Sequence, residues 1–177
     1  GIRYLLRNAT LRGLAVSYSL YQVASGMLVI IAPVAVAEWL DGDGSASADR
    51  YTGVMWAVAG LFGALGALAA GKLVHAGVER RYMLGATLIT AVAVFPLSAL
   101  GSLLTLGAGL AVVGLMEGLI NVSLLSLRQR RTDPGWLGRV MTVSMSVNLS
   151  GFPIGTALGG YLASRSLTAA FAVAAVM

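Results

Sequence analysis

The chain has 177 residues, 58% of them hydrophobic and only 11% charged, with mean hydropathy +0.85 and a net charge of +5. A soluble domain carries roughly a quarter charged residues, so this composition excludes a water-soluble globule and points to a membrane chain. With no cysteine and a single histidine, His75, neither disulfides nor a thiolate or zinc site can form, and no metal or cofactor is expected.

The first thirteen residues, "GIRYLLRNATLRG", are basic and lack the apolar core of a signal peptide. The chain opens on Gly1 rather than Met and closes partway through an apolar run, so both ends are expected to be cut. A first membrane helix is expected at about 13–39, bent at Pro33, with Tyr18, Gln22 and Ser25 sharing one face at i, i+4 and i+7. The outer loop "EWLDGDGSASADRY" is acidic and rich in Gly and Ser, the composition of a flexible connection, and Trp39 fits the interfacial ring.

A second helix at about 51–73 repeats small residues at Gly60, Gly63, Ala67 and Gly71. Such stripes let backbones approach closely in lipid, where packing replaces the drive that water would supply. Inside it, "GALAAGKL" (66–73) nearly matches a phosphate-binding loop. It is a decoy, because Leu73 cannot ligate magnesium and no strand precedes it. Lys72 marks the exit from the membrane.

Third and fourth helices are expected at about 82–101 and 103–127, separated where Gly101 and Ser102 break the apolar pattern. The fourth carries Gly107, Gly114 and Gly118, and the run from Ser102 to Leu127 holds a single charge, Glu117. Glu117 lies about 15 Å along the helix from Leu127, near the bilayer centre. An ionisable group at that depth usually lines a water path or a proton relay. Asn121 follows one turn later, and Asn121, Tyr18 and Gln22 are its candidate hydrogen-bond partners.

In the next inner loop, "RQRRTDPGWLGR", Thr132 or Asp133 is placed to cap a helix starting at Pro134, while Arg128, Arg130 and Arg131 read as membrane anchors. A fifth helix at about 138–163 contains Ser144 and Asn148 at i and i+4, the stripe Gly151, Gly155 and Gly159, and a bend at Pro153. A sixth, at 167–177, is truncated. The glycine stripes of the second and fifth helices are expected to await a partner half.

If the N-terminus is cytoplasmic, ten of the twelve basic residues fall inside, leaving only Arg50 and Arg165 outside. That bias accounts for the positive charge without nucleic acid and orients the chain.

Four segments in order, "GIRYLLRNATLRGL", "GKLVHAGVERRYMLG", "GLINVSLLSLRQRR" and "LGRVMTVSMSVNLSGFPIGTALGGYLASR", together resemble the C-terminal six-helix half of a major facilitator superfamily transporter, closest to bacterial drug and siderophore exporters. The resemblance implies an all-α polytopic membrane protein over 1–177 in the cytoplasmic membrane, with a missing N-terminal half, the lipid bilayer and a small-molecule substrate as partners. The superfamily's cytoplasmic loop motif, roughly G-x-L-x-D-R-x-G-R-R, is met at Gly71 and Leu73. His75 stands where Asp is expected, Val78 replaces the second Gly, and Glu79 precedes Arg80 and Arg81. A neutral His cannot serve as the motif's fixed anion. Gly71, Leu73, His75, Arg80, Arg81 and Arg139 form the expected gating set.

By the same resemblance the first and fourth helices face a central cavity. Glu117, Asn121, Gln22, Tyr18 and Asn148 are then the candidate substrate and proton residues, with lateral hydrogen bonding between helices equally open to Gln22, Asn121 and Asn148. The function implied is secondary transport, with proton-coupled export of a drug-like or siderophore-like molecule as its form. A non-transporting membrane scaffold or partner subunit is the alternative, and no enzyme constellation is present.

Overall fold

The computed structural model describes residues 1–40 and 45–177, so the centre of the acidic outer loop lies outside the described residues. Helices α1 (Ile2–Arg7), α2 (Ala9–Trp39), α3 (Ser45–Leu73), α4 (Glu79–Val94), α5 (Leu97–Leu100), α6 (Leu103–Arg130), α7 (Leu137–Leu149), α8 (Gly151–Ala163) and α9 (Leu167–Val176) follow one another, with a 3-10 turn at Pro134–Trp136. There is no strand among the described residues. Three helices are long and apolar enough to cross a membrane: Ala9–Trp39, Ala46–Leu73 and Leu103–Arg130. Their outward residues are apolar too, with Val16, Leu61, Leu68 and Leu104 exposed, as on surfaces that meet lipid.

Local chemistry sets the helix ends. α2 starts four residues earlier than the hydropathy reading because Asn8 caps it, its side chain accepting from the N–H groups of Thr10 (3.1 Å) and Leu11 (3.3 Å). α3 likewise begins six residues early, through the helix-favouring Ala46 and Ala48. The expected third helix is two: Pro96 lacks the N–H to continue α4 and crowds the preceding turn, so α5 restarts after it. Gly101 then ends α5 with φ +47°, a left-handed conformation that glycine adopts at little cost, and extended Ser102 opens α6.

The expected fifth helix also divides, at Ser150. Pro153 is the third residue of α8, within the first turn, where backbone N–H groups have no intrahelical partner. Pro33, by contrast, sits inside α2 without ending it. At the inner loop Asp133 is the cap, its carboxylate accepting from Gly135 N–H at 2.8 Å with Pro134 at the first position, while the buried Thr132 hydroxyl donates to the Arg128 carbonyl.

Two backbone-to-backbone crossings organise the bundle. α3 crosses α6 where a Cβ on Gly114 would strike the Ala59 carbonyl and one on Gly118 the Gly63 carbonyl. α2 crosses α8 where added carbons on Gly151 and Gly155 would strike the carbonyls of Ser19 and Val23. The α8 stripe therefore closes within this chain, as does the middle of the α3 stripe at Gly63, and these positions do not await a partner half. Gly60, Gly71 and Gly107 have open space instead and take no part in either crossing. Gly66, in the supposed phosphate loop, is mid-helix against Leu115.

The main core lies where α2, α3, α5, α6 and α9 meet, with Met27, Ile31, Leu106, Leu110 and Phe171 fully enclosed. A second cluster, Tyr21, Ala86, Met116 and Ile120, ties α4 and α2 to α6. Leu5, Leu11, Ala15 and Val140 seat α1 against α2 and α7. These contacts act chiefly through dispersion between close-packed atoms, since lipid tails are as apolar as the side chains.

Candidate transport site

Residues separated by about four or seven along a helix return to the same face, and on α6 this brings Glu117, Asn121, Leu124 and Arg128 into one stripe. Across from it, α2 presents Tyr18 and Gln22, and α7 presents Asn148. Tyr18, Gln22, Asn121, Arg128 and Asn148 line one groove of about 230 Å³. Four of the five candidate residues named from sequence are thus neighbours.

The Tyr18 hydroxyl donates to Asn121 Oδ1, linking α2 to α6. Asn121 Oδ1 is thus engaged by Tyr18, and its Nδ2 is not part of that bond. Asn148, 3% exposed, satisfies its neighbours when its amide is turned so that Nδ2 donates to the carbonyls of Ser144 and Ala15, both at 3.2 Å, and Oδ1 accepts from Arg128 Nη2 at 2.9 Å.

Glu117 lies in an adjoining groove of about 380 Å³ between α3 and α6, which also reaches Trp56, Gly60 and Asn121. Asn121 and Leu125 line both grooves and make them neighbours along α6. The carboxylate is half-buried and forms no ion pair among the described residues, although Tyr18 and Tyr21 are within its electrostatic reach.

Arg128 corrects the reading of the inner arginines as a uniform anchor. It is 1% exposed, and its Nε is enclosed without a partner among the described residues. Side chains on a helix lean toward its N-terminus, so a residue two positions from the end of α6 carries its guanidinium back toward the bundle rather than out to the headgroups. The sequence held a signal for this, since Arg128 stands seven residues after Asn121.

The expected gating residues do not gather. Gly71, Leu73 and His75 occupy the exposed end of α3 and its turn, where His75 Nδ1 lies 3.0 Å from the Leu73 carbonyl oxygen. Arg80 borders a separate groove with Ala9, Thr10 and Leu127, and Arg81 is exposed. Arg139 lies 5.4 Å over the Trp136 ring, which stacks on Tyr4 of α1 at 5.8 Å.

The start of α4 holds a buried anion, Glu79. Its carboxylate is buried at the first turn of α4, where negative charge suits the helix dipole. Oε2 accepts from Gly77 N–H at 2.8 Å, and Oε1 lies 3.1 Å from Arg130 Nε, an ion pair short of hydrogen-bond geometry. Its own N–H and that of Gly77, with Arg130 and His75, hold its pKa below the usual glutamate value against the opposing effect of burial. A buried anion thus stands four residues after His75.

No protein-family model matches the chain, and no solved structure does. Over 177 residues, 99% of its length, the chain is 45% identical to an uncharacterized MFS-type transporter of Sinorhizobium fredii. It spans 43% of that relative's length.

Proposed function

Since the chain belongs to the major facilitator superfamily, we propose that it forms the C-terminal six-helix half of a secondary transporter that exports a small molecule across the cytoplasmic membrane in exchange for protons. In this reading α4 with α5 and α7 with α8 are broken spans, the N-terminus is cytoplasmic, and the two halves rock around a site near the midplane. The orientation is supported by the basic residues, which divide nine inside to two outside once buried Arg128 is set apart.

The observation that carries the reading is Glu117: a half-buried carboxylate at membrane depth, without an ion-pair partner among the described residues, opening on a groove beside the polar one. Such a group can bind a proton on one side of the membrane and release it on the other when the exposure of its groove alternates. Tyr18, Gln22 and Asn121 supply the hydrogen bonds that orient substrate, and Asn148 shapes the groove beside them. Drug-like or siderophore-like substrates follow from the resemblance to exporters.

Glu117→Gln tests the coupling. It preserves size and hydrogen-bonding capacity but removes the titration, so insertion and abundance are expected to survive. Transport driven by a pH gradient in sealed vesicles should fall at least tenfold, equivalent to about 1.4 kcal/mol. Unchanged flux with unchanged pH dependence would reduce Glu117 to a packing residue.

A further inference from the structure

Arg128 combines two properties that seldom coexist. Its guanidinium is 1% exposed, yet no carboxylate pairs with it among the described residues and its Nε has no acceptor. Arginine carries five N–H donors and does not surrender its charge in proteins. With the Asn148 amide turned so that its oxygen faces the guanidinium, the acceptor 2.9 Å from Arg128 Nη2 is neutral. Glu117, eleven residues away on α6, is about 16 Å distant along the axis, too far to neutralise it. A buried cation without an anion is costly, so an anion that reaches the guanidinium would relieve that cost.

The surroundings fit such an arrival. Arg128 borders a groove of about 230 Å³ that also presents the hydrogen-bonding side chains of Tyr18, Gln22 and Asn121, with Met145 and Leu149 as apolar walls. A groove with a few convergent polar groups on mostly apolar walls is the usual form of a small-molecule site. Asn148, fixed by two carbonyls, holds the guanidinium from one side. The planar fork of an arginine matches the paired oxygens of a carboxylate or phosphate better than any other side chain does.

We propose that Arg128 receives an anionic group, a carboxylate or phosphate, of the transported molecule in the groove between α2, α6 and α7. This rests on the transporter reading, because it names the substrate class of that site. It assigns Arg128 to ligand contact and Asn148 to positioning, and it disfavours lipophilic cations as the cargo.

The test uses the full-length transporter in detergent at fixed ionic strength, with malonate and inorganic phosphate as anionic probes and choline and glucose as controls. At saturating concentration, malonate or phosphate should raise the unfolding midpoint by about 2 °C or more, and choline and glucose should not. Arg128→Lys should weaken the anion effect at least threefold in apparent affinity, and Arg128→Gln should abolish it. In case Arg128→Gln does not fold, Asn148→Asp sets a carboxylate against the guanidinium and should also abolish the anion effect.

Absence of any anion effect in the wild type overturns the proposal, as it would if a carboxylate elsewhere in the full-length protein already covered Arg128. So does an anion effect that survives Arg128→Gln or Asn148→Asp. Transport is read out separately: a protein that moves substrate without responding to anions loses only this assignment, whereas one that binds anions through Arg128 but moves nothing loses the transporter reading.

Discussion

Placing a methyl group on Gly118 should separate α3 from α6. An added Cβ there would stand 2.9 Å from the Gly66 carbonyl carbon and closer still to the Gly63 carbonyl oxygen, where ordinary contacts begin at 3.4 Å. All the obstructing atoms are backbone, so no rotamer change can relieve the clash and the helices must part by roughly 1 Å. A gap of that size forfeits about a quarter to a half of each contact's attraction along the crossing. Gly118→Ala should therefore destabilise by about 1–3 kcal/mol. Gly107→Ala, on the same helix with open space around it, should instead stabilise by about 0.5–1 kcal/mol because alanine is the better helix former. The assay is thermal unfolding of the intact transporter in detergent, with both variants measured side by side. Opposite signs support the crossing, and equal effects would refute it.

Asn8→Ala removes the cap of α2 and should cost about 1 kcal/mol, seen as faster hydrogen exchange at Thr10 and Leu11. Glu79 has a folded pKa below its unfolded value, so its stabilising effect is complete above the usual glutamate pKa and is lost as pH falls toward the lower folded value. Wild type should accordingly melt above Glu79→Gln at pH 6, and the difference should shrink below about pH 4. With the N-terminus cytoplasmic, an impermeant thiol reagent applied outside cells should label Ala46→Cys and spare Ala76→Cys, both exposed positions; the reverse pattern would invert the topology.

The all-helical class was legible because the apolar runs are long and uncharged, and the turn at Gly101 and Ser102 because glycine there has a distinct backbone role. Helix interruptions were less so. Pro96 and Pro153 are equally visible in the sequence as Pro33, but only the first two coincide with a break, since the outcome depends on what neighbouring helices do with the freed carbonyls. Hydropathy marks depth but not direction, so it could not separate Arg128, which turns into the bundle, from Arg130, which reaches Glu79. Tyr18, Gln22, Asn121 and Asn148 could be named from helical spacing, whereas their meeting in one groove depends on the α2–α8 crossing set by glycines far along the chain.

The most direct test of the account is flux itself. Inside-out vesicles carrying the full-length transporter, supplied with candidate small molecules, should accumulate at least one of them when the lumen is made acidic, and a protonophore should collapse that accumulation. Accumulation that ignores the pH gradient would contradict the proton coupling, and the absence of any flux from correctly inserted protein would contradict transport.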